Sequence, residues 1–267
     1  MSSPKVSVSL ITYNQERIVA QAIESAVGQE TSFDYEVVIG EDASTDRTRE
    51  IVLGYAARHP DRIRLVLQEE NRGLVKNRLD TFLACRGEYV ALLDGDDYWT
   101  SREKLAKQAR FLDDHPECSI VFHDARVLLT DGSFCEANYT RPDHPPSTTI
   151  DQLFETNFIA TCSVMLRRSA VPHIPDWYAT SFLEDWPLYV LFADRGQIGY
   201  LAEPMGVYRF HERGLWSGLD PVARLERVVE FLGTMNQHYG DRHPSVRTSL
   251  ARYVEELKLA RAARAAV

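Results

Sequence analysis

The stretch Glu88-Tyr-Val-Ala-Leu-Leu-Asp-Gly-Asp-Asp-Tyr-Trp99 decides the fold. Its apolar run, residues 89–93, is short, lacks polar alternation and ends in a turn signal, the pattern of a central strand covered on both faces. Asp94, Asp96 and Asp97 then stand at the carboxyl end of that strand. In an open parallel sheet this edge lines the ligand crevice. Three carboxylates gathered there call for a cation, and hard oxygen ligands favour Mg²⁺ or Mn²⁺, ions that complete their octahedra with waters and substrate phosphates. Two readings follow from the stretch alone, a metal-diphosphate site or a solvated acidic turn. A calcium loop of the EF-hand type is disfavoured, because Leu105 rather than Glu stands twelfth from Asp94.

The residues before this strand repeat a simple rhythm. Residues 6–11 read as a first strand, followed by the turn Thr12-Tyr-Asn-Gln-Glu16 and an amphipathic helix to residue 27 with Ile18, Val19, Ala22, Ile23 and Ala26 on one face. Residues 35–40 form a second strand, and in the turn Glu41-Asp-Ala-Ser-Thr-Asp46 either Ser44 or Thr45 is expected to cap a helix with Asp46 in its first turn. A third strand at 63–67, a turn at Asn71-Arg-Gly73 and a helix at 74–85 closed by Gly87 complete the run. Strands alternating with helices in this way predict an α/β fold with a doubly wound, mostly parallel sheet and right-handed crossovers.

After the acids the pattern loosens. A helix at 101–115, stopped by Pro116, leads to a strand at 119–122. Residues 138–149 hold Pro142, Pro145 and Pro146 and read as a surface loop, a kind of segment in which specificity often resides. A short strand at 162–166, a helix carrying Glu184-Asp-Trp-Pro187, strands at 198–201 and 207–211, and terminal helices at 221–238 and 246–263 follow. The terminal helices either pack on the domain or make a homodimer contact.

Composition narrows the class. With 267 residues and 44% hydrophobic content the chain can bury a sizeable core, and a net charge of −9 argues against nucleic acid or an anionic membrane as the main partner. Cys85, Cys118, Cys135 and Cys162 lack any C-x-x-C spacing, so buried thiols are expected rather than zinc or disulfides. No charged-then-apolar leader and no apolar run of about 18 residues is visible, and a soluble, cytoplasmic protein is expected. Neither G-x-G-x-x-G after the first strand nor G-x-x-x-x-G-K-[ST] occurs, so a bound diphosphate has to be neutralised mainly by metal.

Taken in order, Val8-Ser-Leu-Ile-Thr-Tyr-Asn-Gln-Glu16, Gly40-Glu-Asp-Ala-Ser-Thr-Asp46, Asn71-Arg-Gly73, Leu93-Asp-Gly-Asp-Asp-Tyr-Trp99, Glu184-Asp-Trp186 and Gly206-Val-Tyr-Arg-Phe-His211 resemble the motifs of glycosyltransferase family 2, over residues 6–218. The resemblance implies the GT-A fold, with a Rossmann-like nucleotide-sugar-binding half at 1–116, an acceptor-binding half at 117–218 and a C-terminal helical extension at 219–267. It implies that Thr12, Tyr13 and Glu16 form the nucleoside-binding turn and that Asp42 accepts a hydrogen bond from a pyrimidine ring nitrogen. Asp94 and Asp96 match the D-x-D motif, the first serving the ribose or a metal-bound water and the second the metal. The doubled acid permits a one-residue shift, so either Asp96 or Asp97 takes the ion. Arg78 falls where the family often has a basic residue near the diphosphate, and His211 matches a histidine near the metal.

Asp185 matches the catalytic acid of the Glu-Asp pair, the general base of inverting members, with Glu184 or Asp176 as fallback. An acceptor hydroxyl needs such a base near neutral pH. Trp186 either packs on a sugar face or belongs to the core. The chain lacks the Q-x-x-R-W signature of processive synthases, so the expected activity is transfer of one sugar from a nucleoside-diphosphate donor, UDP or dTDP before GDP, to an acceptor hydroxyl with Mn²⁺ or Mg²⁺. The alternatives are a sugar-nucleotide pyrophosphorylase, which needs a Gly-rich basic loop where Thr12 to Glu16 offers neither Gly nor Lys, and a catalytically silent binding module, expected to have lost Asp42, Asp96 or Asp185.

Overall fold

A computed structural model describes residues 3–210, 216 and 218–265. The strand that carries the acids, β4 (Tyr89–Asp94), lies in the middle of a nine-stranded sheet. Its side chains alternate between two apolar layers. Tyr89, Ala91 and Leu93 face Val19, Ala22 and Ile23 of α1 (Val19–Val27) and Leu105 and Ala109 of α4 (Lys104–Asp114), whereas Val90 and Leu92 face Phe82 of α3 (Leu74–Ala84) and Phe192 of α6 (Asp185–Ala193). Burial on both faces explains why this run carries no polar residue, since each fully buried large apolar side chain contributes about 1.5–3 kcal/mol.

β1 (Val6–Thr12) pairs in parallel with both β2 (Tyr35–Glu41) and β4, and β2 pairs in parallel with β3 (Ile63–Leu67). The order continues from β4 through β8 (Val164–Arg167), β6 (Cys118–Leu128) and β9 (Gln197–Arg209) to β5 (Tyr98–Trp99). β8 is antiparallel to both of its neighbours, and β5 and β7 are antiparallel to β9. Gly87 does not close α3; it stands where β1 and β4 approach, and a Cβ there would meet the Ser7 nitrogen at 2.4 Å.

Several expectations give way after residue 118. β6 runs on to Leu128, and the two strands expected at 198–201 and 207–211 are one, β9, which pairs in parallel with β6 through register shifts at His123 and Asp124. Buried polar residues hid this continuity. Asp124 is 6% exposed and accepts hydrogen bonds from the Ala125 nitrogen (2.8 Å), Asn138 Nδ2 (2.6 Å) and the Thr140 nitrogen (3.1 Å), which fastens the 138–149 segment to the sheet. That segment ends in β7 (Ser147–Thr148), paired with β9, and leads into the short helix α5 (Ile150–Glu155) through a capping box of Thr149 and Gln152.

The expected cap of the second helix is also corrected. α2 (Thr48–Arg58) starts after Arg47, and Ser44 and Thr45 instead meet Asn14, whose nitrogen donates to Ser44 Oγ (3.0 Å) and whose Oδ1 accepts the Thr45 N–H (2.8 Å). The C-terminal helices, α7 (Pro221–Tyr239) and α8 (Ser245–Ala265), pack on the sheet domain: the Phe231 ring lies 4.8 Å from that of Trp186, and the Tyr253 hydroxyl donates to the Glu155 carbonyl at 3.0 Å. Among the described residues no helix is long and apolar enough to cross a membrane. Cys85, Cys118 and Cys162 are buried and unpaired, and Cys135 is half-buried and unpaired.

Candidate active site

Three strand ends open onto one cavity of about 810 Å³. The turns after them are laced by main-chain bonds that extend the parallel ladder: the Gly95 nitrogen donates to the Ile11 carbonyl (2.8 Å) and the Asp42 nitrogen to the Thr12 carbonyl (3.1 Å). Gly95 sits close against the first turn: a Cβ there would meet Gln15 Oε1 at 2.3 Å and Thr12 Oγ1 at 2.9 Å, so a larger residue has to displace the Gln15 side chain. Thr12, Tyr13, Asp42, Asp94, Asp96, Asp97 and Asp185 all line the cavity. Tyr13 presents its ring at 43% exposure, whereas Thr12 is buried and donates to Gln15 Oε1 at 2.7 Å.

Asp42 is 2% exposed and holds the Asn71-Arg72-Gly73 turn, its two carboxylate oxygens accepting the Arg72 (2.8 Å) and Gly73 (3.0 Å) N–H groups. Glu16 does not face the cavity: its carboxylate accepts the Arg47 N–H at 3.0 Å and so braces the start of α2. This corrects its expected place in the nucleoside-binding turn.

Asp94, Asp96 and Asp97 each bring a carboxylate oxygen within 4.8 Å of the others. Asp97 is 2% exposed and accepts the Arg209 N–H at 2.7 Å, while Arg209 Nε donates to the Asp96 carbonyl at 2.8 Å, so the end of β9 is moored to the acid turn. Burial, and then the charges of Asp96 and Asp94, push the Asp97 carboxyl well above the usual range. Beneath the turn Lys104 is fully buried with its amine 4.0 Å above the Trp99 ring, and burial holds that amine well below its ordinary pKa. His211 lies outside the described residues.

Arg78 corrects a second expectation. It does not reach the cavity; its fully buried guanidinium donates to Asp94, to Glu184 Oε2 at 3.1 Å and to the Ser9 carbonyl at 2.9 Å. Although burial opposes its charge, Glu184 and Asp94 hold the guanidinium above its ordinary pKa. Burial pushes Asp94 up to about 6 and Glu184 up to about 8, Arg78 opposing both shifts. The guanidinium thus ties the acid at the end of β4 to the acid at the start of α6.

Asp185, beside Glu184 at the start of α6, is half-buried. Asn157 Nδ2 donates to its Oδ2 at 2.8 Å and the Trp186 N–H to its Oδ1 at 2.6 Å, and burial raises its pKa. Asp176 does not line the cavity, and Glu184 is held by Arg78. Trp186 is core, 4% exposed, with its indole N–H on the Leu153 carbonyl at 2.7 Å. Gln15, Asn77, Tyr139, Asn157 and Arg209 line the cavity without having been singled out. Arg209 stood inside the quoted Tyr-Arg-Phe-His segment, whereas Asn157 lies in a stretch with no motif to mark it.

The glycosyl transferase family 2 profile matches residues 7–174. The uncharacterized protein Rv1520 of Mycobacterium tuberculosis strain H37Rv is 42% identical over 211 residues, 79% of this chain, which spans 60% of the length of that relative. Among solved structures, Staphylococcus aureus TarS 1–349 in complex with UDP-GlcNAc aligns with a TM-score of 0.70 at 20% identity, over 94% of this chain and 71% of the other. Mannosyltransferase PcManGT from Pyrobaculum calidifontis, in complex with GDP-Man and Mn²⁺, aligns with a TM-score of 0.64 at 19% identity, over 100% of this chain and 81% of the other. The matched profile spans more than half of the chain and the sheet is that of these neighbours, so the chain belongs to glycosyltransferase family 2 and has the GT-A fold.

Proposed function

We propose that the protein is a metal-dependent, inverting glycosyltransferase that moves one sugar from a nucleoside-diphosphate donor, UDP or dTDP before GDP, to an acceptor hydroxyl. The observation that carries this reading is one cavity with three clustered carboxylates at one strand end and a separate, half-buried carboxylate, Asp185, at the start of a helix. The cluster fits a divalent cation, since its acids crowd within 4.8 Å and the buried Asp97 resists ionisation beside its neighbours. Asp96, with Asp94 or Asp97, would hold the ion, and a bound ion neutralises the charge that develops on a departing diphosphate. TarS is solved with UDP-GlcNAc and PcManGT with GDP-Man and Mn²⁺, which supports a nucleotide sugar and a metal here.

On this reading Asp42 has two jobs. Its carboxylate offers about four lone-pair sites, and the Arg72 and Gly73 N–H groups use two, leaving acceptor capacity toward a pyrimidine ring nitrogen. Tyr13 offers a ring face to the base. Asp185 takes the acceptor hydroxyl proton as the acceptor oxygen bonds the anomeric carbon and the bond to the diphosphate oxygen breaks with its electron pair, which inverts that carbon. Asn157 fixes the orientation of Asp185, and burial makes it a stronger base than a solvated carboxylate.

Thermal unfolding with a panel of nucleoside diphosphates tests the reading, because a ligand that binds only the folded state raises its stability. UDP or dTDP is expected to stabilise the protein much more with Mn²⁺ or Mg²⁺ than with EDTA, and Asp96→Ala to abolish the difference. Equal stabilisation in EDTA removes the metal from the mechanism.

A further inference from the structure

The acids and the nucleoside turn occupy only part of the cavity, and its wall changes character with distance from them. Close to Asp185 the lining is polar, with Thr156, Asn157, Thr161 and Tyr139. Beyond it the C-terminal helices complete the wall. Phe231 of α7 packs on Trp186, the residue after Asp185, and Val228 lies one turn before it on the same helix face. Leu225 is a further turn away, and Leu225, Val228, Phe182 and Leu183 all line the cavity. Tyr253 of α8, anchored on the Glu155 carbonyl, meets the same space beside Thr156.

This end is mostly apolar, with Arg224 also in its lining, and among the described residues it is open. Phe182 is 38% exposed with the Arg227 guanidinium 4.2 Å from its ring, and Leu183, Leu225 and Tyr253 are half-buried. Contiguous apolar surface that a folded chain leaves open marks a binding surface. A cavity of about 810 Å³ is at the large end of the ~300–1,000 Å³ range for small-molecule sites, with room beside a donor for part of a second ligand.

Resting on Asp185 as the base, we propose that this end is an acceptor subsite for an apolar aglycone. The acceptor is a glycoside: its sugar hydroxyl lies among the polar groups at Asp185, and its non-sugar part lies against Phe182, Leu183, Leu225 and Val228. A free saccharide would set hydroxyls against these apolar side chains, and the nucleotide is held at the opposite end by Tyr13, Asp42 and the acids. The continuity of the apolar wall with the residue next to the base selects an acceptor over a separate protein partner.

Binding of methyl, hexyl and p-nitrophenyl glycosides of glucose, galactose, mannose and N-acetylglucosamine, measured by saturation-transfer NMR and calorimetry with UDP and Mn²⁺ present, tests the proposal. Hexyl or p-nitrophenyl glycosides are expected to bind at least about tenfold more tightly than the methyl glycoside of the same sugar, as burial of two or three methylene equivalents gives. Leu225→Asn and Phe182→Ser should each erase that preference, while thermal stabilisation by UDP and Mn²⁺ stays at the wild-type level and certifies that both variants are folded. Equal affinity across the three aglycones in the wild type, or a preference that survives both substitutions, overturns the subsite. Loss of the metal-dependent UDP effect in the wild type strikes the transferase reading instead, so the two failures are distinguishable.

Discussion

The sheet up to β4 and the sheet from β6 onward position their site residues by different means. In the first, each functional turn follows a parallel strand directly and is fixed by bonds to the adjacent strand end, as Gly95 is by Ile11 and Asp42 by Thr12. In the second, Asp185 depends on residues remote in sequence: Asn157 holds its carboxylate, Arg78 holds its neighbour Glu184, and α7 covers Trp186. A turn at a strand end is started by its own ladder and finished by remote groups, as Arg209 does at Asp97, whereas the motif at the helix start depends on remote groups.

The contrast breaks most visibly at Arg78, whose side chain bonds both Asp94 of the acid strand and Glu184 beside Asp185. Arg78→Met removes the cation shared by Asp94 and Glu184 and should cost about 3–5 kcal/mol, read from urea unfolding. A cost below about 1 kcal/mol would show that the two regions are joined by packing alone. Glu184 supplies a pH test of the same seam in metal-free protein. Its folded pKa is raised, to about 8, so the folded state holds a proton that the unfolded state releases near the ordinary value of 4.5. Stability should therefore decline as pH rises from about 4.5 toward 8, and Glu184→Gln should flatten that decline.

The next largest effect separates chemistry from donor binding. Asp185→Asn keeps size and polarity but cannot take a proton, so turnover should fall roughly 10²-fold or more while nucleotide affinity is unchanged. Because burial raises the Asp185 pKa, the acid limb of kcat/KM should lie above the ordinary carboxylate range, with activity lost as pH falls through it. An active Asp185→Asn enzyme, or a product that retains the donor's anomeric configuration in its proton NMR spectrum, refutes the role.

Asp42→Ala tests the self-scaffolded region. It removes the acceptor for two N–H groups and should lower both folding stability and UDP affinity by about 1–3 kcal/mol, with Asp42→Asn falling between. Unchanged stability would mean that the turn at 71–73 stands without it. The smallest effect sharpens the other side: Thr149→Ala at the capping box of α5 should cost about 0.5–2 kcal/mol by calorimetry and, since Asn157 follows that helix, lower kcat more than UDP affinity.

Legibility in the sequence follows the same division. The parallel strands, the acid turn and the crossovers were readable because both-faced burial writes an unbroken apolar run, as in residues 89–93. The length of β6 was hidden because His123 and Asp124 interrupt its apolar pattern; the strand accommodates them by bulged pairing, and Asn138 and Thr140 satisfy the Asp124 carboxylate. Arg78 and Glu16 were legible as residues but not as contacts. Each turned toward a partner far along the chain, Arg78 to Glu184 and Glu16 to Arg47, and local pattern carries no trace of such pairs. Asn157 and the lining from α7 had no signal at all, being ordinary residues that matter through where the fold puts them.

The reversed strand β8 also has a consequence for how the chain is made. β4 bonds β1 on one side and β8 on the other, yet Val164–Arg167 follows Asp94 only roughly 70 residues later, several seconds at a ribosomal pace of about 5–20 residues per second. Throughout that interval the most apolar strand of the nascent protein presents an unpaired edge, the template on which strands of other chains add. β8 thus acts as a late seal, and synthesis stalled between residues 100 and 160 should produce the aggregation-prone species of this protein.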